Sequence, residues 1–128
     1  MELAVETKAL TKKFGDFTAV DGIDLNIKKG ELFGLLGPNG AGKSTMMYML
    51  STILAPTSGT ALVNGFDVIT NSVDVRKSIG MVFQESTLDT HLTGLDNLDI
   101  HGRLYGMPRD ERTSRIIEVL ELVELEDW

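Results

Sequence analysis

Gly37-Pro38-Asn39-Gly40-Ala41-Gly42-Lys43-Ser44-Thr45 decides the reading of this chain. It fits the pattern G-x-x-x-x-G-K-[ST], with Gly37, Gly42, Lys43 and Ser44 in the fixed places. Gly40 and Gly42 carry no Cβ, so the loop can curl and aim successive N–H groups inward. Such a concave nest fits a polyphosphate, and the positive N-terminus of a following helix adds to the same spot. Lys43 then sets a point charge against the β- and γ-phosphates and is the loop's catalytic candidate. The Ser44 hydroxyl completes a Mg²⁺ shell, and Thr45 is placed to donate to the α-phosphate.

The flanks supply the order that the loop needs. Leu32-Phe33-Gly34-Leu35-Leu36 reads as a short buried strand before it, and Met46-Met47-Tyr48-Met49-Leu50 as a helix after it. Upstream, Leu3 to Leu10 reads as a first strand and residues 11–16 as a turn carrying Phe14. Thr18 to Val20 is a second short strand, with Asp21-Gly22 as a turn. Ile23, Leu25 and Ile27 alternate with Asp24, Asn26 and Lys28, the period of a half-buried strand. Downstream, the helix is expected to end near Leu54, because Pro56 cannot continue it. Thr60 to Val63 is a strand and Asn64-Gly65 a strong turn signal. A short helix starts at Asn71-Ser72-Val73-Asp74, with Asn71 capping, and is broken by Gly80. Met81-Val82-Phe83 reads as a buried strand ended by Gln84.

From Glu85 the texture becomes helical. Thr93-Gly94-Leu95-Asp96 is a capped start, and Ile116, Ile117, Leu120 and Val123 recur at helical spacing in a last helix. The expected organisation is an α/β part over residues 1–84 and a helical part over residues 85–128.

The totals narrow the function classes. The chain has 128 residues, enough for one domain with a core. The net charge of -7 argues against a nucleic-acid partner. The chain has no cysteine, which excludes a disulfide scaffold and a thiolate metal site. No apolar run reaches the length of a membrane span, and Met1-Glu2-Leu3 lacks the basic start and apolar block of a signal peptide. A cytoplasmic protein is expected, peripheral to the membrane through a partner.

On these residues the chain resembles the N-terminal part of an ABC-transporter ATPase domain. The loop Gly37 to Thr45, the connector Pro56-Thr57-Ser58-Gly59, the hairpin Gly65-Phe66-Asp67-Val68 and the segment Ile79-Gly80-Met81-Val82-Phe83-Gln84 all match the family's pattern. Leu88 to Thr93 and Gly102-Arg103-Leu104-Tyr105-Gly106 are similar to the subfamily of drug and lipid exporters that includes the daunorubicin-resistance ATPases. The resemblance implies a P-loop NTPase fold, here an incomplete ABC ATPase core with an N-terminal antiparallel β layer and the start of the helical subdomain. It implies ATP and Mg²⁺ as ligands. Phe14 takes the place of the aromatic that stacks on adenine, and Val20 that of a residue flanking the ribose. Gln84 takes that of the glutamine that ligates Mg²⁺ and orders the attacking water. The implied partners are a transmembrane permease, docked on the segment after Gln84, and a second ATPase subunit in a head-to-tail dimer.

The sequence departs from the family in one large respect. The signature segment, the Walker B aspartate with its adjacent glutamate, and the switch histidine do not occur in these residues. The expectation is therefore ATP binding without appreciable turnover by this chain alone. Leu32 to Leu36 is also expected to lack strand partners on at least one side, with low stability or a swapped oligomer as the result. Two alternatives remain: a soluble ABC ATPase without a permease, and a non-catalytic truncated interaction module.

Overall fold

The computed structural model describes residues 2–127. The chain divides into two compact units, Met1–Val82 and Phe83–Trp128.

The first unit is built on a twelve-residue ribbon. Strand β1 (Leu3–Phe14) pairs antiparallel with β2 (Phe17–Lys28), closed by the two-residue turn Gly15-Asp16. On its other edge β1 pairs with β3 (Ser58–Val63), which pairs with β4 (Phe66–Asp67), giving the sheet order β2-β1-β3-β4. Asn64 and Gly65 form the β3–β4 turn with φ 49° and 82°, the doubly positive pair that a tight hairpin requires. The expected turn at Asp21-Gly22 is instead part of one continuous β2. A bulge absorbs the extra length: the register shifts between Thr7 and Leu10, and Ala9 takes φ 48°. Polar side chains satisfy the displaced backbone. The Ala9 N–H donates to Asp24 Oδ1, the Thr11 hydroxyl accepts from the Gly22 N–H and donates to the Ala9 carbonyl, and the Thr7 hydroxyl donates to the Ile23 carbonyl.

Helix α1 (Lys43–Leu50) packs on this sheet through Met46 and Met49. It ends four residues before the expected Leu54, because Thr52 turns to φ 65° and the chain leaves the helix there, ahead of Pro56. Helix α2 (Ser72–Ser78) follows β4. Asn71 stands at its N-cap, yet its side chain makes no cap bond. The turn before α2 is held by Asp67, whose carboxylate accepts the N–H groups of Ile69 and Thr70 at 2.9 and 2.8 Å. Leu10, Val20, Met46, Met49, Ala61, Val63, Val68 and Val75 form the core. The leucine, valine and methionine side chains each contribute roughly 1.5–3 kcal/mol on burial.

Two expected strands do not form. Residues 32–36 and 81–83 have extended or irregular backbone outside any ladder, and Leu32, Leu36 and Val82 are almost wholly exposed. A strand exists only by pairing, and no described residue pairs with either run.

The second unit is a helical hairpin of α3 (Gly94–Leu104) and α4 (Arg109–Leu122). The start of α3 is a full capping box: Thr93 Oγ1 accepts from the Asp96 N–H, and Asp96 accepts from the Thr93 N–H. Arg112 of α4 is buried against Gly102, where Nε donates to Asp99 and Nη1 to the Met107 carbonyl. Asp99 also accepts from Arg103, one turn along α3. These bonds, with buried Ile116, tie the two helices together. Among the described residues no helix is long and apolar enough to cross a membrane.

Candidate nucleotide-binding site

Residues 37–42 form a tight loop whose form follows from two glycines. Gly40 has φ 84° and Gly42 has φ 87°, both left-handed, and Gly42 is the N-cap of α1. At Gly42 the constraint is double. A Cβ there would meet the Ala19 carbonyl oxygen at 2.2 Å and Val20 Cγ2 at 3.2 Å, so the loop rests directly on the β2 backbone. No neighbour lies within 4 Å of a Cβ at Gly40.

The loop is braced by its own polar groups. The Ala41 N–H donates to the Pro38 carbonyl at 3.2 Å. The Lys43 ammonium donates to the carbonyl oxygens of Gly37 and Pro38 at 2.6 Å each. The first α-helical bond of α1 is from the Met46 N–H to the Gly42 carbonyl. The N–H groups of Lys43, Ser44 and Thr45 therefore precede the helical ladder and have no acceptor within the helix. Orphan donors, a helix N-terminus and a lysine at one place are the donor set that a polyphosphate fits. Ser44 is exposed, so its hydroxyl is accessible to a cation carried in by phosphates.

A cavity of about 220 Å³ lies between β2 and the loop. Val20, Ile23, Leu35, Leu36 and Met46 make most of its wall apolar, with Asp21 its one carboxylate. Phe14 stands at the end of the β1–β2 ribbon, opposite Phe17 and about half exposed. The first unit thus carries Phe14, Val20 and the whole stretch Gly37 to Thr45. Gln84 belongs to the second unit, where it is an exposed residue in a bend. Two contributors were not read from the sequence. The Ala19 carbonyl backs Gly42, a backbone contact that no side-chain pattern reports. Lys12 lies over the Phe14 ring, and its i, i+2 spacing in a strand was the available signal.

The ABC transporter family model matches residues 20–128. Among curated proteins, the chain is 45% identical over 124 residues to a probable multidrug ABC transporter ATP-binding protein of Escherichia coli K12, covering 94% of the chain and 22% of that protein. It is 44% identical over 118 residues to a daunorubicin/doxorubicin resistance ATP-binding protein of Streptomyces peucetius, covering 92% of the chain and 36% of that protein. The chain thus spans well under half of these relatives. Among solved structures it resembles cbiO1 from Clostridium perfringens, part of the ABC transporter complex cbiONQ, with TM-score 0.82, 29% identity, and coverage of 98% of the chain and 52% of the solved one. It also resembles the ATP-binding cassette MJ0796, solved as a dimer with ADP and Pi, with TM-score 0.78, 32% identity, and coverage of 96% and 58%.

Proposed function

The chain belongs to the ABC transporter family as an ATP-binding domain, and from this we propose that residues 37–45 bind the phosphates of ATP in a subunit that drives export through a membrane permease. One observation carries the reading. Lys43 and the unpaired first-turn N–H groups of α1 converge on a loop that Gly42 locks against β2. Lys43 neutralises β- and γ-phosphate charge, and the N–H groups of Lys43, Ser44 and Thr45 bind phosphate oxygens. The Ser44 hydroxyl takes one position in the shell of Mg²⁺. Phe14 stacks on the base and Val20 borders the ribose. Bound ATP with Mg²⁺ supplies the phosphoryl group whose transfer to water powers transport.

Gln84 is assigned to the complete site, as Mg²⁺ ligand and orienter of the attacking water. The exposed segment from Glu85 to Thr93 is assigned to docking of the permease. The names of the relatives favour a drug exporter, and the subunit is assigned to the cytoplasmic face of the membrane, in a dimer of ATPase subunits. Hydrolysis is proposed of the complete subunit, and binding alone of residues 1–128.

Isothermal titration with ATP and Mg²⁺ tests the site. Wild-type chain binds, and Lys43→Ala binds at least about tenfold more weakly, the loss of roughly 1.4 kcal/mol or more from a charged contact. Equal binding by both proteins would overturn the assignment. A malachite-green phosphate assay on the same chain separates binding from turnover: rates like those of a complete ABC ATPase would contradict binding alone.

A further inference from the structure

Lys12 is held at two points. Its ammonium donates to the Ala55 carbonyl at 2.7 Å and lies 5.2 Å from the centroid of the Phe14 ring. Strand alternation puts residues 12 and 14 on one face of β1, so the contact is built into the strand. The carbonyl that anchors Lys12 is itself fixed. The Thr57 N–H donates to the Thr11 carbonyl at 2.9 Å, and the Lys13 N–H donates to Thr57 Oγ1 at 3.0 Å, so the 55–57 connector is clamped along β1. Lys12 also pairs across the ribbon with Val20, which together with the Ala19 carbonyl backs Gly42. One short piece of ribbon therefore carries both the floor of the phosphate loop and the mount of the ring.

We propose that Lys12 is a positioning residue for nucleotide binding: anchored on Ala55, it covers one face of Phe14, orients the ring and leaves the opposite face for the purine base. The proposal rests on the reading of Phe14 as the base platform. A cation over one face of a benzene ring is attracted by its quadrupole, and it draws electron density from the other face. That polarisation favours stacking on an electron-rich purine. A freely rotating phenylalanine at the end of a ribbon would instead lose side-chain entropy each time a base docked.

The test compares a ligand with a base and one without. ATP and inorganic tripolyphosphate, each with Mg²⁺, are titrated into wild-type chain and into Lys12→Met, Lys12→Arg and Phe14→Ala. Lys12→Met is expected to bind ATP roughly two- to fivefold more weakly and tripolyphosphate unchanged. Lys12→Arg restores ATP affinity, because a guanidinium keeps both the donor and the cation. Phe14→Ala weakens ATP about fivefold to a hundredfold and spares tripolyphosphate. If Phe14→Ala weakens ATP and Lys12→Met does not, the role of Lys12 is refuted while that of Phe14 stands. If Lys12→Met weakens both ligands equally, Lys12 is merely structural. If Phe14→Ala leaves ATP unchanged, or wild-type chain binds no ATP, the platform reading falls and the proposal with it.

Discussion

The Lys43 ammonium stands 2.6 Å from the Gly37 carbonyl oxygen, so the one charged residue of the phosphate loop ties down its first glycine. The same ammonium also reaches Pro38, which in turn accepts the Ala41 N–H. The lysine is thus a brace for the loop as well as a counter-charge for phosphate. In Lys43→Ala the brace is gone, and the Ala41 amide is expected to exchange its hydrogen roughly fivefold faster, the equivalent of one net hydrogen bond of about 1 kcal/mol. Hydrogen exchange followed by NMR checks it, and unchanged protection of Ala41 would show that the loop keeps its form without Lys43.

Gly42→Ala and Gly40→Ala should part company. Both place a Cβ at left-handed φ, which costs about 1–2 kcal/mol. Only at Gly42 does that Cβ also run into the Ala19 carbonyl. Gly42→Ala is therefore expected to lower the thermal midpoint further than Gly40→Ala, and to shift α1 off β2. Paired thermal melts by circular dichroism decide it. Equal midpoints would mean that the Ala19 contact gives way without cost.

Asp67→Ala is expected to cost about 1 kcal/mol, the usual worth of a side chain that caps backbone N–H groups. The carboxylate accepts from Thr70 and Ile69, bonds that hold its pKa below the usual carboxylate range. Asp67→Asn keeps an acceptor oxygen and should lose less. Urea denaturation of the three proteins measures both differences.

Acid should loosen the α3–α4 hairpin. Hydrogen bonds from Arg112, then Arg103, hold the Asp99 carboxyl below its ordinary value. A carboxylate depressed in the folded state stabilises fully above its unfolded value, about 3.9, and that contribution fades as pH falls through the folded value. Thermal melts of wild-type chain between pH 6 and pH 2 should therefore fall more steeply below about pH 4 than those of Asp99→Asn. Parallel curves would remove Asp99 from the acid response.

The phosphate loop, the Asn64-Gly65 hairpin and the Thr93–Asp96 capping box were legible because each is local: a few residues fix their own backbone. The family resemblance followed from the same short motifs, and the match over residues 20–128 bears it out. The strand expected at Leu32 to Leu36 was not recoverable this way, since apolar composition describes what a segment wants to pair with and pairing needs a neighbour. The bulge in β1–β2 was hidden for a related reason. Asp21-Gly22 has the composition of a turn, and only the bonds from Gly22 to Thr11 and from Ala9 to Asp24 turn it into a crossing. Phe14 and Gly42 could be named from sequence, but the Ala19 carbonyl emerges only from the fold, and the i, i+2 spacing of Lys12 carries meaning only once residues 12–14 are strand rather than turn.

The exposed run from Leu32 to Leu36 also bears on the life of the chain in a cell. Leu32 and Leu36 face solvent and the backbone of the run lies outside the sheet, in the five residues ahead of a well-formed loop. Chaperones and proteases patrol for extended, apolar, unpaired peptide of this kind. In residues 1–128 the run is the expected first point of proteolytic attack, and limited proteolysis checks it by whether cleavage begins within 32–36.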